Sequence, residues 1–414
     1  MTSGDSAPPV WFCGPEHFRY DEVLPMSTSL LHVRLAITPT AEITDAGILM
    51  RDGEFESVGP RESMTLPAGA IEISAMDRIA VPGFVDVHIH GAGGHDVMEG
   101  SAEALSAVAR TVARHGTTSV VATTVTASTE DTCRSVEGIA KYISEQHETD
   151  EARAQVLGLH FEGPFISPTR RGVHPAEWIK LPSAELLEKF LLAAAGRALI
   201  LTIAPELLGA MPCIDAARKA GLVVAMGHTD ATYEQARAAI AHGARHAVHV
   251  YNAMRPFTHR DSGVIGAVLT TPEVSAELIA DGVHVDEAAM RLLLQAKGAE
   301  RVILVSDGIS ATGMPDGKYT LGKFEVTVSG GVCRNAEGKL AGSTLTLDRA
   351  LRNIVALGTP IADAVRMVTL NPATLLGIEF KKGALRTGAD ADIVLLDESL
   401  HVTNVWARGT AVNY

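Results

Sequence analysis

Cysteine is scarce in this 414-residue chain: Cys13, Cys133, Cys213 and Cys333 stand alone, without paired spacing. That excludes a disulfide framework and a thiolate zinc site, and it suits a reducing cytoplasm. Positive charge is also in short supply, with 35 Lys and Arg against 49 Asp and Glu and a net charge of −14. Neither nucleic acid nor an anionic membrane is an expected partner, and any anion site must be local. No apolar run reaches the roughly 18 residues of a membrane span, and the N-terminus has no basic segment leading into an apolar one. Residues 1–26 lack periodicity and read as a loosely held extension with no assigned function.

What the chain has in quantity is short β-rich runs separated by Ala- and Leu-rich segments of helical length. From residue 84 onward these runs are "FVDVHIH", "TSVVATTVT", "VLGLHFEG", "ALILTIAP", "LVVAMGHT", "HAVHVYNA", "SAELIADGVHV" and "RVILVSDG". Their near-continuous apolar character suits parallel strands buried on both faces. Segments such as "SAEALSAVARTVARHG" carry helical spacing with a glycine stop. Eight β/α units predict a TIM barrel over residues 82–379. The flanks, 27–81 and 380–414, read as short strands broken by turns, predicting one small β-sandwich domain built from both chain ends.

In "VDVHIHGAGGHD" two histidines sit two residues apart, so on a strand His88 and His90 share one face. The glycines after them end the strand. On this strand assignment Glu162 ends the third strand, His228 the fifth, His249 the sixth, His284 the seventh and Asp307 the eighth. Taken singly, a histidine on an apolar strand is more often a hydrogen-bonded core residue than a ligand. Here five further groups join the pair at the end of a barrel where chemistry is done. Imidazoles plus a carboxylate, with a position left for water, are the donor set of a catalytic divalent ion, zinc or iron foremost and cobalt or manganese also suited. His160, His242 and His246 lie within or before the runs and read as structural.

With these residues in view, the sequence resembles the amidohydrolase superfamily and, within it, the N-acetylglucosamine-6-phosphate deacetylases. The general marks are "VPGFVDVHIHG", the two later strand-end histidines and the Asp of "VSDG". The narrower ones are "LHFEGPFISPTRRGVHP", "MGHTDATYEQ", "HVYNAMRPFTHRDSGVIGAVL", "IADGVHV" and "LAGSTLTLD". The resemblance implies a metal-dependent hydrolysis of the acetamide of a phosphorylated amino sugar, with one or two divalent ions per subunit. It places the principal ion on Glu162, His228 and His249, and a second on His88 and His90, with Glu162 as the bridge, since "LILTIAPE" offers no fourth-strand lysine. Asp307 becomes the proton shuttle. His174, Asn252, Ala253, His284 and Leu340, Ala341 and Gly342 become sugar contacts. Arg260 becomes a phosphate ligand contributed across a homodimer interface, with Arg170, Arg171 and Arg255 as lesser phosphate candidates. Two other readings stay open here: a cyclic-amide or deaminating amidohydrolase, and a catalytically silent phosphosugar sensor.

Overall fold

The computed structural model describes residues 28–146 and 151–413. The N-terminal extension read over residues 1–26 lies outside the described residues. Eight parallel strands, Phe84–Ile89, Thr117–Thr124, Gln155–Glu162, Ala198–Ile203, Val223–Met226, His246–Ala247, Ser275–Leu278 and Val302–Leu304, pair in sequence order. The first and last meet through a parallel bridge between Ile89 and Gly308 and through Asp307 N–H donating to His88 O at 3.0 Å. The barrel expected from the apolar runs is therefore present and closed.

Helices pack around it where the sequence supplies starts and stops. Ser101 caps Ala102–Ala113 by accepting from Ala104 N. Thr232 and Gln235 form a reciprocal capping box at the start of Tyr233–His242, and Gly243 ends that helix at φ 111°. The strands feed one continuous apolar core: Val87, Val121, Phe161, Leu201, Val224, Ala247 and Leu278 are all fully buried.

The two chain ends meet as the flanking strands suggested. Strands Thr28–Ile37, Glu42–Arg51, Glu54–Pro60 and Ile71–Pro82 share one seven-stranded sheet with Ile393–Leu396, Val402–Ala407 and Thr410–Ala411. The seam is the antiparallel pairing of Ile393 with Pro82 and Val394 with Val81. Beside it, buried Lys382 places its ammonium 2.8 Å from both Asp390 and Asp392 carboxylates. Burial opposes that charge, but the two carboxylates outweigh it and raise the ammonium above its usual range. Asp392 also takes the Arg408 N–H, and its carbonyl takes the Gly83 N–H at the head of the first barrel strand. Replacing Lys382 by Met should cost roughly 3–5 kcal/mol by stranding Asp392, read as a lower denaturant midpoint with the barrel's metal content unchanged. An unchanged midpoint would mean that water satisfies the aspartates.

One element was not anticipated. Strands Gly317–Leu321, Phe324–Ser329 and Val332–Asn335 form an antiparallel sheet after the last barrel strand, inside the stretch read wholly as barrel. Its inner face, with Leu321, Val326, Val328 and Cys333, packs on Val125, Ile309 and Ala341, and so covers one side of the barrel mouth.

Candidate active site

Glu162, the last residue of the third strand, gathers the cluster. Its Oε1 lies 2.9 Å from His249 Nε2, 3.2 Å from His228 Nε2 and 3.3 Å from His88 Nε2. Its Oε2 lies 3.3 Å from His90 Nε2 and 3.5 Å from His174 Nε2. Asp307 Oδ1 reaches His90 Nε2 at 3.2 Å. All of these side chains are buried, and three overlapping groups of them bring ligand atoms within 4.8 Å of one another.

The partners behind the rings assign the tautomers. His88 Nδ1 faces Glu277 at 2.8 Å, His90 Nδ1 faces Thr123 O at 2.9 Å and His228 Nδ1 faces Arg170 O at 3.0 Å. Each acceptor requires Nδ1–H, so each Nε2 turns a lone pair toward Glu162, the arrangement of a metal-ligating imidazole. His88 Nε2 is buried without a hydrogen-bond partner. His174 is set the opposite way: its Nδ1 accepts from Thr126 N at 3.2 Å, so the neutral ring carries its proton on Nε2, aimed into the site.

The field here favours positive charge. Burial opposes protonation of His90, but Asp307 and Glu162 outweigh it and push the ring up to about 9. Burial likewise opposes ionisation of Glu162, and His88 and His228 hold its carboxyl well below the usual range. Both effects are what a divalent cation meets on entering such a cluster. The donor set and its tautomers therefore fit a metal ion.

The backbone is strained to make this convergence. His228, His249 and Asp307, together with Tyr251 and Ala253, have φ between 28° and 81°. Left-handed conformations of such residues cost of order 1–3 kcal/mol each and collect where function holds them. They also end the strands early. The sixth strand stops at Ala247, two residues before His249, and the eighth at Leu304, three before Asp307.

The ligand cluster floors a cavity of about 210 Å³, lined also by Val125, Val173, Asn252, Ala253, Leu321, Phe324, Leu340 and Gly342. His284 lines it too, but not from the end of the seventh strand, where the sequence reading placed it. That strand ends at Leu278, and His284 stands on the following loop, held by Asp281 at 2.7 Å. Ala341 turns its side chain into the apolar cluster under the inserted sheet. Arg260 is exposed on its loop and is not among the cavity's lining residues. Arg170 and Arg255 both pair with Asp230, and Arg171 donates to His174 O.

Of the histidines read as structural, His160 bonds Thr202 at 2.7 Å, and burial together with His88 presses it down to about 3, a neutral core ring. His242 pairs with Asp215. His246 instead shares Glu277 with His88. Sequence reasoning missed Glu277. Its signal was present: a lone acid amid the apolar "SAELIA" run, on a strand buried on both faces, must be paired.

The Amidohydrolase family model matches residues 79–412. The chain is 37% identical to N-acetylgalactosamine-6-phosphate deacetylase of Escherichia coli O157:H7 over 388 residues, covering 94% of this chain and 100% of that one. It is 38% identical to N-acetylglucosamine-6-phosphate deacetylase of Vibrio furnissii over 355 residues, 86% of each. A solved structure of N-acetyl-D-glucosamine-6-phosphate deacetylase from Mycobacterium smegmatis, in complex with N-acetyl-D-glucosamine-6-phosphate, superposes with a TM-score of 0.87 at 37% identity, over 94% of this chain and 100% of that one.

Proposed function

The chain belongs to the amidohydrolase family, and from that premise we propose that it hydrolyses the acetamide of N-acetyl-D-glucosamine 6-phosphate to D-glucosamine 6-phosphate and acetate. The observation that carries this reading is the set of imidazole Nε2 atoms gathered on Glu162 with Asp307 beside them, in a chain whose relatives are named for that reaction.

Glu162, His228 and His249 would hold the principal ion and His88 and His90 a second, with Glu162 shared. Zinc or iron(II) suits these donors, and cobalt or manganese can substitute. A divalent ion held there lowers the pKa of a water toward neutrality and polarises an amide carbonyl. The chain's own groups do the rest. Asp307 accepts the proton of the attacking water and passes it to the departing amine. His174, with its proton on Nε2, donates to the oxygen that becomes negative as the carbonyl carbon turns tetrahedral. Asn252, Ala253, His284, Leu340 and Gly342, all on the cavity wall, orient the sugar, and Ala341 does so through its main chain.

The test is acetate release by the metal-replete protein. Turnover should be efficient with N-acetylglucosamine 6-phosphate and far weaker with unphosphorylated N-acetylglucosamine, because the phosphate contacts hold the reacting bond in place. Faster release from N-acetylgalactosamine 6-phosphate would move the substrate to the C4 epimer, the substrate in the name of the Escherichia coli relative. Preference for a ring amide would make the protein a cyclic amidohydrolase, and no release at all would favour a sensor.

Among the described residues no helix is long and apolar enough to cross a membrane. Cys133, Cys213 and Cys333 are free, in keeping with a cytoplasmic home. Arg260 suits a homodimer in which it reaches the phosphate bound by the partner, because it is exposed and outside its own cavity wall. Arg260→Ala and Asp307→Asn enzymes should each be weak, yet refolding them together should return about a quarter of parental activity. Half the randomly paired dimers are mixed, each with one intact site of two. Mixed dimers that form but stay inactive would place Arg260 outside the reaction.

A further inference from the structure

Glu277 is fully buried in the middle of the seventh barrel strand, and neither the proton transfer nor the ligand set described above uses it. Its two oxygens nevertheless accept three hydrogen bonds. Oε2 takes His88 Nδ1 at 2.8 Å and the His249 main-chain N–H at 3.0 Å, while Oε1 takes His246 Nε2 at 2.8 Å. A buried carboxylate is tolerated only when paired in this way, so the strand maintains a costly group for some return. The return is legible on the far side of the His88 ring, where Nε2 is buried with no hydrogen-bond partner and lies 3.3 Å from Glu162. Leaving such an atom unpaired costs about 1–3 kcal/mol unless something binds it.

We propose that Glu277 is the positioning residue that makes this a two-ion site: it locks His88 with its Nε2 lone pair outward and ties that ligand to the loop carrying His249. The inference rests on the metal-dependent reading above, but not on the identity of the substrate. Charge points the same way. Glu162, Asp307 and Glu277 are all buried around imidazoles that ligate a metal only in their neutral form, and buried Asp86, which accepts from the His88 N–H, adds to them. One divalent ion leaves this cluster negative, and a second offsets the remainder. Without Glu277 the electrostatic demand for the second ion falls, and His88 is free to put its proton on either nitrogen.

Glu277→Gln is a variant the surroundings can accept. The amide oxygen can serve both His88 and the His249 N–H. The amide NH2 can donate to His246, whose other nitrogen faces the Ser275 hydroxyl at 2.9 Å, a group able to donate or accept, so that ring can exchange tautomers. Zinc alone is the probe. Bound ions per chain are measured by elemental analysis over a series of buffered free-zinc concentrations, for the parent, Glu277→Gln, His88→Gln and the double variant. The parent should bind two ions of unequal affinity. Glu277→Gln should loosen the weaker one by roughly 10- to 100-fold, the usual effect of losing a partner behind a ligand, and leave the tighter one within a few-fold. The double variant should bind zinc like His88→Gln alone, because Glu277 acts through His88. Glu277→Asp, which keeps the charge but draws it back from His88, should loosen the same ion. Two parental affinities in Glu277→Gln, equal loss of both ions, a further loss in the double variant, or a parent that binds a single ion would each overturn the proposal. Zinc counting needs no substrate, so failure to release acetate would defeat the deacetylase reading without touching this one.

Discussion

Replacing Asp307 by Asn should give a folded, metal-loaded protein whose turnover is lower by roughly 100- to 10,000-fold, the usual contribution of general acid–base catalysis and equal to about 3–5 kcal/mol of barrier. The main chain at this residue is held independently of the side chain: its N–H donates to His88 O at 3.0 Å and its carbonyl accepts from Ser343 N at 2.8 Å. Asn also tolerates the φ of 48° better than most residues. The exchange therefore removes the proton acceptor and little else. Burial opposes ionisation of Asp307, but the His90 hydrogen bond and the His88 charge outweigh it, so the group meets water as a carboxylate. An amide in its place cannot take the proton. The expected signature is a fall in kcat with KM and metal content close to parental values. A metal-replete Asp307→Asn enzyme that turns over normally would remove the residue from the mechanism.

How much of this was readable beforehand differs by element, for physical reasons. The eight barrel strands were legible because a parallel strand buried on both faces is written as an apolar run, and "FVDVHIH" and "TSVVATTVT" are such runs. Strand ends were less so. The left-handed residues that aim His228, His249 and Asp307 also break the ladder, leaving His246–Ala247 as a two-residue strand inside an eight-residue apolar run. The inserted sheet escaped because "KYTLGKFEVTV" follows directly on the last barrel strand, although its alternation of exposed and buried residues is the pattern of a one-faced strand. Glu277 escaped because the run "SAELIADGVHV" reads as one strand ending at His284, which sets Glu277 toward its start rather than near the end, where ligands sit. Arg260 is a different case. A residue proposed to complete a neighbour's site leaves no trace in its own subunit's geometry beyond its exposure.

Replacing Glu162 by Gln should be more damaging than any change to a single histidine. Four of the five rings that point at this carboxylate, His88 and His90 at the end of the first strand, His228 after the fifth and His249 after the sixth, are gathered from three strand ends by the two oxygens of one side chain. If Glu162 bridges two ions, its charge counts at both positions, and an amide lacks that charge and offers one good donor oxygen where the carboxylate offers two. Metal affinity should fall by more than the roughly 10- to 100-fold expected for a partner behind a ligand, and activity should drop to background even in excess zinc. The contrasting case is His88→Gln with His90→Asn, which spares Glu162, His228 and His249. That double variant should lose the second ion and retain some turnover, because the principal ion and Asp307 are untouched. Both proteins can be judged by counting zinc per chain beside acetate release. A Glu162→Gln enzyme that keeps both ions, or one that loses no more zinc than the double variant, would show that the bridge lies elsewhere in the cluster, with Asp307, 3.2 Å from His90 and 3.7 Å from His88, as the next carboxylate to examine.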